Sequence, residues 1–458
     1  MNLKKNQIVL LDITGMSHEG DGIGRHRDGM AVFVPMSAPG DRLSVRIAKV
    51  LSNRAYGIIE EIIAPSPDRC ENLCEAYRTC GGCSLRHITP EAEMRIKNGL
   101  VQDNLGRIGK IEIGLEEPID SRCGRYRNKA SYPVQNIGGR VTCGMYARRS
   151  HRLVKIRDCL LQPALFADIT ACVCDFCNEF SIPAYDEETH TGLLRHIVIR
   201  HAEKTDQTMV SLVINGKSIP HIDILAQRLR VTTLILDHNT RKTNVIGGQK
   251  QTVICGGGYI VDKLGGIEIE ISPGSFYQVN RGAAELLYAK ALEYAAPEKS
   301  DTLLDLYCGT GAVGLSMAHA VKEVIGVEII PQAVRDAGRN AERNNIENAR
   351  FICADAGGAA LKLAEEGIRP DIVVLDPPRA GIDAQTVKAV CSMAPGRIVY
   401  ISCNSATQAR DCAVLCGRGY TVTRGCAVNL FPRTAHAESV LLLTKTSRDI
   451  TTPAENQI

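Results

Sequence analysis

Apolar residues in the first sixty positions fall into short β-type runs, Ile8–Leu11, Met30–Val34, Arg42–Val50 and Tyr56–Ile63, parted by Gly, Asp and Pro turns. The pattern predicts a small all-β barrel over residues 1–66, ended by Pro65 and Pro67. A helical stretch follows from Pro90 to about Asn104. Strand-like segments around Val134, Val154, Val198, Val213, Ile235 and Val245 then predict a mostly antiparallel central domain over residues 67–270. From residue 271 to 458 short apolar strands alternate with helical stretches. The strands are Thr302–Leu306, Glu323–Val327, Arg350–Cys353, Asp371–Leu375, Arg397–Ser402 and Ser439–Leu443. Such alternation predicts a doubly wound α/β domain on a largely parallel sheet. Internal repeats are absent, and the polar stretch after Thr446 reads as a frayed tail.

Composition adds little to this picture. At about 150 residues per domain, 458 residues suggest three domains, as the pattern does. The apolar share of 44% and charged share of 23% are those of a globular protein. No apolar run nears the roughly eighteen residues of a membrane span, and nothing resembles a signal peptide. The 18 cysteines are spread along a long chain, which fits a reducing cytoplasm. The net charge of +3 is small but uneven. Between Ser121 and Arg157 stand Arg122, Arg125, Arg127, Lys129, Arg140, Arg148, Arg149, Arg152, Lys155 and Arg157, with no Asp or Glu between them. A basic stretch without interleaved acids favours phosphate contact.

The chemistry concentrates in the last third. Leu303 to Gly314 reads as a strand, a glycine turn and a helix start, with GxGxxG at Gly309, Gly311 and Gly314. Glu328 ends the next strand at a spacing suited to ribose hydroxyls, and Asp355 follows the third strand where an adenine amino group would lie. A dinucleotide site shares these features. The fourth strand discriminates: it ends in Asp376-Pro377-Pro378-Arg379, a rigid extended loop that resembles methyltransferases acting on nucleic-acid bases and not dehydrogenases. The fifth ends in Ser402-Cys403-Asn404, and Phe431-Pro432-Arg433-Thr434-Ala435-His436-Ala437-Glu438 leads into the last strand beside the same cleft.

With Phe276-Tyr277-Gln278-Val279-Asn280, these motifs give nearly the whole chain a resemblance to the bacterial RNA uracil-5 methyltransferases of 23S ribosomal RNA and tRNA. The resemblance implies an S-adenosylmethionine-dependent enzyme whose Gln278, Tyr307, Glu328 and Asp376 touch the cofactor or its immediate site. It also implies Cys403 as nucleophile and Glu438 as proton acceptor. Chemistry explains the pair: thiolate addition at uracil C6 makes C5 enolate-like, and a base must then remove the C5 proton so that the thiol can leave. Ser405, where the family usually has proline, and Arg433 and Ala437 depart from the family pattern.

Cys74, Cys80 and Cys83, with Cys159 as a fourth, would suit either zinc or an iron–sulfur cluster by spacing. The resemblance selects a [4Fe-4S] cluster, which 23S-directed members carry and tRNA-directed members lack; Cys70 is a spare thiol. The first sixty residues resemble the OB-like TRAM module of RNA-modifying enzymes, so backbone contacts by Arg25, Arg27, Arg46 and Arg54 are expected. His18, His151 and His196 read as surface or core residues. The expected partner is a structured 23S ribosomal RNA segment with a flippable uridine, bound by a monomer without membrane contact. A tRNA uracil-5 methyltransferase, an amino-directed base methyltransferase and a non-catalytic, metal-stabilised RNA-binding protein are the alternatives.

Overall fold

The computed structural model describes residues 3–121 and 124–446, so Arg122 and the tail expected after Thr446 lie outside the described residues. Strands β1 (Ile8–Met16), β2 (Gly22–Arg25), β3 (Ala31–Val34), β4 (Arg42–Val50) and β5 (Arg54–Ala64) close into a barrel in the order β1-β2-β3-β5-β4. Strand alternation builds it. Val9, Leu11 and Ile13 point inward onto Val32, Leu43, Val45 and Ile47, whereas Ile8 and Leu10 are 61% and 60% exposed. Gly57 lets β5 cross this core, since a Cβ there would lie 2.2 Å from the Val45 side chain. β2 was not legible in the sequence because two of its four residues, Gly22 and Gly24, are glycine. The barrel is tied to the following segment by Arg69, whose Nε and Nη2 each donate to the buried Asp41 carboxylate at 2.7 Å.

Helix α1 (Pro90–Asn104) matches the predicted stretch: Thr89 caps it by accepting from Ala92 N, and proline fits its first turn. It runs into a π turn at Leu105–Gly109. Val101 and Leu105 are buried in the core of the C-terminal domain, and β6 (Ile119–Asp120) joins that domain's sheet. The span 67–270 therefore serves two sheets. Its own sheet comprises β7 (Lys129–Ile137), β8 (Arg140–Tyr146), β9 (Leu153–Lys155), β10 (Leu194–Ala202), β11 (Gln207–Ile214), β12 (Thr233–His238) and β13 (Lys250–Cys255), in the order β13-β12-β11-β10-β7-β8-β9. Every pairing is antiparallel except β11 with β12, where α3 (Ile222–Leu229) makes the crossover. Helix α2 (Leu165–Glu179), which the strand reading passed over, buries Phe166, Val173 and Phe176 against this sheet. Val245 lies in a loop and not a strand, its carbonyl taken by Asn239 Nδ2 at 2.6 Å.

A hairpin of β14 (Ile260–Leu264) and β15 (Ile267–Ile271) leads to α4 (Arg281–Ala295) and the doubly wound domain. There β16 (Thr302–Leu306), α5 (Ala312–Met317), β17 (Glu323–Glu328), α6 (Pro331–Arg343), β18 (Ala349–Cys353), α7 (Ala356–Glu365), β19 (Ile372–Leu375), α8 (Ala384–Met393), β20 (Arg397–Ser402) and α9 (Ser405–Cys416) alternate as predicted. β21 (Tyr420–Asn429) and β22 (Glu438–Lys445) complete a sheet of order β18-β17-β16-β19-β20-β22-β21-β6. The sheet is parallel through β20; β22 then enters antiparallel between β20 and β21. Its central strands are buried on both faces, as their unbroken Val, Ile and Leu runs require. Among the described residues no helix is long and apolar enough to cross a membrane.

Leu304 is fully buried in the middle of β16. Leu304→Ala is expected to weaken the C-terminal domain by about 2–5 kcal/mol, whereas Ile8→Ala on the barrel surface should stay within about 0.5 kcal/mol. Urea denaturation of both variants checks this.

Candidate active site

The strands of the doubly wound sheet deliver their side chains to one edge. Leu306 pairs with Leu375, so Tyr307 and Asp376 leave β16 and β19 side by side. Ser402 opposite Ser439 is the last rung between β20 and β22; Cys403 follows the one and Glu438 precedes the other, near enough for the carboxylate to act on the thiol. The turn after β16 is held in unusual backbone: Tyr307 has φ of +67°, Gly309 +55° and Gly311 +80°. A positive φ at a tyrosine is strained and recurs at ligand-gripping turns.

Gln278, Tyr307, Gly309 and Asp376 line one small cavity of about 40 Å³, together with Tyr288 and Asp305. It has room for one or two small groups and not a whole nucleoside. Glu328 lies just outside, its two oxygens accepting from Gly309 N at 3.1 Å and Ile330 N at 2.8 Å. Asp355 is exposed and caps α7, accepting from Gly358 N at 3.0 Å. Sequence reading missed Asp305. Its Oδ2 accepts from Gly314 N at 2.9 Å, while Oδ1 is buried without a partner. The signal was available, because an acid at a strand end directly before a glycine turn faces whatever that turn grips.

Three buried acids of this edge hold their protons more tightly than usual. Burial, with Asp376 and Glu328 nearby, pushes Asp305 up to about 7, and burial alone pushes Asp376 up to about 7. Burial, then Asp376, pushes Glu438 well above the usual carboxylate range, with Arg379 pulling the other way. Burial and Glu438 likewise raise the Cys403 thiol, opposed by the charge and hydrogen bond of Arg379. Asn404 Nδ2 and Thr407 Oγ1 donate to the Arg379 carbonyl at 3.0 and 3.1 Å, which fastens the Asp-Pro-Pro-Arg loop beside Cys403.

Cys403 opens onto a cleft of about 1410 Å³. Its walls come from three modules: His18 to Asp21 of the barrel, Tyr146 to His151 with the cysteine loop, and the edge carrying Arg379, Cys403 and His436. His18 and His151 thus belong to the cleft wall, whereas His196 is buried. The basic segment is less free than its sequence implies, because acids reach it from elsewhere. Arg149 pairs with Glu19 of the barrel at 2.9 Å, Arg125 with Asp158 at 2.6 Å and His151 with Glu187 at 2.7 Å. Arg148 is turned inward to the Cys83 carbonyl. On the barrel, Arg46 pairs with Glu60, and Arg25 and Arg54 bond to Gly29 O and Tyr56 OH.

Cys74, Cys80, Cys83 and Cys159 line a second cavity of about 430 Å³, which Arg86, Arg127 and Lys129 also face. Burial pushes the Cys80, Cys83 and Cys159 thiols up, and each feels its neighbours' charge. As placed, no three of these thiols gather closely enough to hold a metal ion, nor do any other three His, Cys, Asp or Glu among the described residues. The four surround a space and do not converge on a point. Cys70 stands apart, bonded to Arg86 O.

The sequence profile of the tRNA (Uracil-5-)-methyltransferase family matches residues 205–446, and that of the TRAM domain residues 3–59. The chain belongs to this methyltransferase family. A protein of Halalkalibacterium halodurans, described as an uncharacterized RNA methyltransferase, is 40% identical over 453 residues, covering 96% of this chain and 98% of its own. One of Clostridium tetani with the same description is 38% identical over 448 residues, with 96% and 97% covered. Among solved structures, the Pyrococcus abyssi tRNA (uracil-54, C5)-methyltransferase in complex with S-adenosyl-L-homocysteine superimposes with a TM-score of 0.76 at 26% identity, covering 95% of this chain and 100% of that one. The barrel is accordingly a TRAM domain and the doubly wound unit has the methyltransferase fold. The departures from the uracil-5 methyltransferase pattern have local partners: Ser405 Oγ accepts from Asn104 Nδ2 at 2.8 Å, and Arg433, at φ of +70°, donates to Ile88 O.

A thiol held above its usual range is protonated at neutral pH, and its thiolate fraction climbs as pH rises toward that pKa. Carboxymethylation of Cys403, followed by peptide mass spectrometry, should accelerate about tenfold per unit between roughly pH 7 and 9. Arg379→Ala should displace the whole curve to higher pH.

Proposed function

We propose that the protein transfers the methyl group of S-adenosylmethionine to carbon 5 of a uridine in 23S ribosomal RNA. The observation that carries this reading is that Cys403, open to a cleft of about 1410 Å³, and the buried Glu438 flank the last rung of β20 and β22, Ser402 opposite Ser439. Cys403 adds to C6 of the uracil, which gives C5 the electron density to attack an electrophilic methyl group. Glu438 then takes the C5 proton, the C5–H electrons re-form the C5–C6 double bond, and the C6–S bond breaks to return the thiolate to Cys403. A buried carboxylate held well above its usual range is a strong proton acceptor once ionised, which suits that step.

S-adenosylmethionine, when bound, supplies the electrophilic methyl on a sulfonium. The residues present fit such a ligand: an unpartnered buried carboxylate oxygen on Asp305, a buried Asp376 whose ionised form a nearby cation would favour, and a positive-φ turn suit a molecule carrying both a sulfonium and an amino group. Gln278, Tyr307, Gly309 and Asp376 would line its reactive end, Glu328 its ribose, and Asp355 its adenine. The target base must leave its stack, since a thiol approaches C6 from above the ring; extrusion costs a few kcal/mol, least for an unpaired nucleotide.

Cys74, Cys80, Cys83 and Cys159 are proposed to hold a [4Fe-4S] cluster. Four thiols ringing an open cavity with three cations suit a multi-atom anionic cluster better than one zinc ion, whose ligands converge about 2.3 Å from its centre. A cluster there would brace the loop that walls the cleft. A tRNA substrate is the second reading, favoured by the likeness to the Pyrococcus abyssi enzyme over 95% of the chain. Mapping 5-methyluridine in ribosomal and transfer RNA from cells with and without the gene separates the two.

Cys403→Ala is expected to abolish methylation while donor binding survives; normal turnover would sink the covalent mechanism. Glu438→Gln should add to RNA and accept the methyl yet fail to release it, leaving a denaturation-resistant protein–RNA band. Anaerobically purified protein should be brown with about four irons per chain. Stoichiometric zinc without visible absorption would reject the cluster.

A further inference from the structure

The connection from Asn429 to Glu438 is anchored from a distance by two charged residues that the chemistry above does not use. Glu93 and Lys97 face each other on α1 with Nζ to Oε1 at 2.7 Å, each side chain 1% exposed. All three Lys97 protons are spent: on Glu93, on Asn429 Oδ1 at 2.6 Å and on the Phe431 carbonyl at 3.0 Å. Glu93 accepts the Arg433 backbone N–H on both oxygens, at 2.8 and 3.1 Å, with the Arg433 guanidinium 3.7 Å away. Arg433 is the residue whose backbone is forced to positive φ. From the other side, the backbone N–H groups of Ser84 and Leu85, next to Cys83, donate to the Arg433 carbonyl at 3.0 and 3.1 Å.

Burying an ion pair is expensive and stabilises a fold little compared with apolar side chains of the same volume. Here every polar atom of the pair reaches one loop, five residues or so ahead of Glu438. We propose that Glu93 and Lys97 are positioning residues for proton abstraction: they fix the turn at Phe431–Arg433 and so the place at which Glu438 enters β22 opposite Cys403. The proposal rests on Glu438 being the base. It assigns α1, which follows the cysteine loop in sequence, a share in the chemistry of a domain more than three hundred residues away.

The test is Glu93→Gln combined with Lys97→Met, which removes both buried charges at nearly constant volume and leaves only the partly exposed Arg433 guanidinium without its carboxylate neighbour. Full-length protein is given a radiolabelled methyl donor and total RNA from cells lacking the gene. Labelling in the first turnover and the RNA-bound protein band are followed together. A displacement of the base by about 1 Å should slow release roughly tenfold to a hundredfold and leave first-turnover labelling within about threefold. The denaturation-resistant band should therefore build up while the thermal melting curve stays single and cooperative. A merely structural role predicts a fall of both steps in proportion to the folded fraction, and either that result or wild-type release overturns the proposal. Glu438→Gln runs alongside. If it too releases product normally, the assignment of the base has failed; if it traps RNA while the double variant does not, the positioning role alone has failed. Should the double variant not fold, Glu93→Gln alone, which leaves the Arg433 N–H a neutral amide oxygen in place of the carboxylate, carries the same test with the same two outcomes.

Discussion

The pairing of β20 with β22 is the constraint from which the rest of the site follows. A parallel sheet alone would send every strand end, and so every functional side chain, off the same edge in the same sense. Because β22 enters antiparallel, its first residue, Glu438, and the residue just past the end of β20, Cys403, flank the same last rung, which brings the proposed base to the proposed nucleophile. Both are then enclosed by sheet and helices, which raises the affinity of each for its proton. The cost is a connection between β21 and β22 that must turn back over the sheet edge, with one residue at positive φ. Such a loop holds still only if something outside the domain holds it. Here α1 and the cysteine loop do so, through Glu93, Lys97, Ser84 and Leu85.

Three modules meet at one cleft for a related reason. A uridine in folded RNA presents its C6 only after it has left the stack, and the energy for that must come from contacts to the surrounding nucleotides. The barrel and the Tyr146–His151 segment wall the same cleft as Cys403, so contacts made there would bear on a strand whose base reaches Cys403. The Arg149–Glu19 pair bridges the barrel and the central sheet, although at such exposure it contributes little to stability. The chain is held in register more firmly by the buried Arg69–Asp41 contact.

Local patterns carried much of this into the sequence. The bounds of β4, β16, β20 and α1 are those the periodicity predicts, because each element is either strictly alternating, unbrokenly apolar or bounded by a cap and a proline. What was illegible depends on partners distant in sequence. β21 contains Thr, Arg and Gly and becomes a strand by pairing with β22, and β6 is two residues that gain meaning only against β21. The basic segment looked free because the acids that meet it, Glu19, Asp158 and Glu187, come from outside it. Glu93 and Lys97 stand one helical turn apart, the spacing of an ordinary surface pair, and nothing local reveals that the Asn429–Arg433 turn covers them.

Buried acids of this chain are treated in contrasting ways. Several that tie segments together have a full cationic partner: Asp41 has Arg69, Glu93 has Lys97, and Asp336 has Arg339. At the carboxyl edge of the doubly wound sheet the opposite holds. Asp376, itself raised by burial, helps to raise both Asp305 and Glu438, Asp305 Oδ1 has no partner, and only Arg379 opposes the rise at Glu438. A fold that needed only stability would have neutralised or removed these groups, since buried acids without partners cost free energy. Their presence together leaves a site that gains from any cation placed within it and that, on the proposed mechanism, keeps one carboxylate basic enough to take a proton from carbon. The same enclosure that makes Glu438 costly to the fold therefore makes it useful beside Cys403.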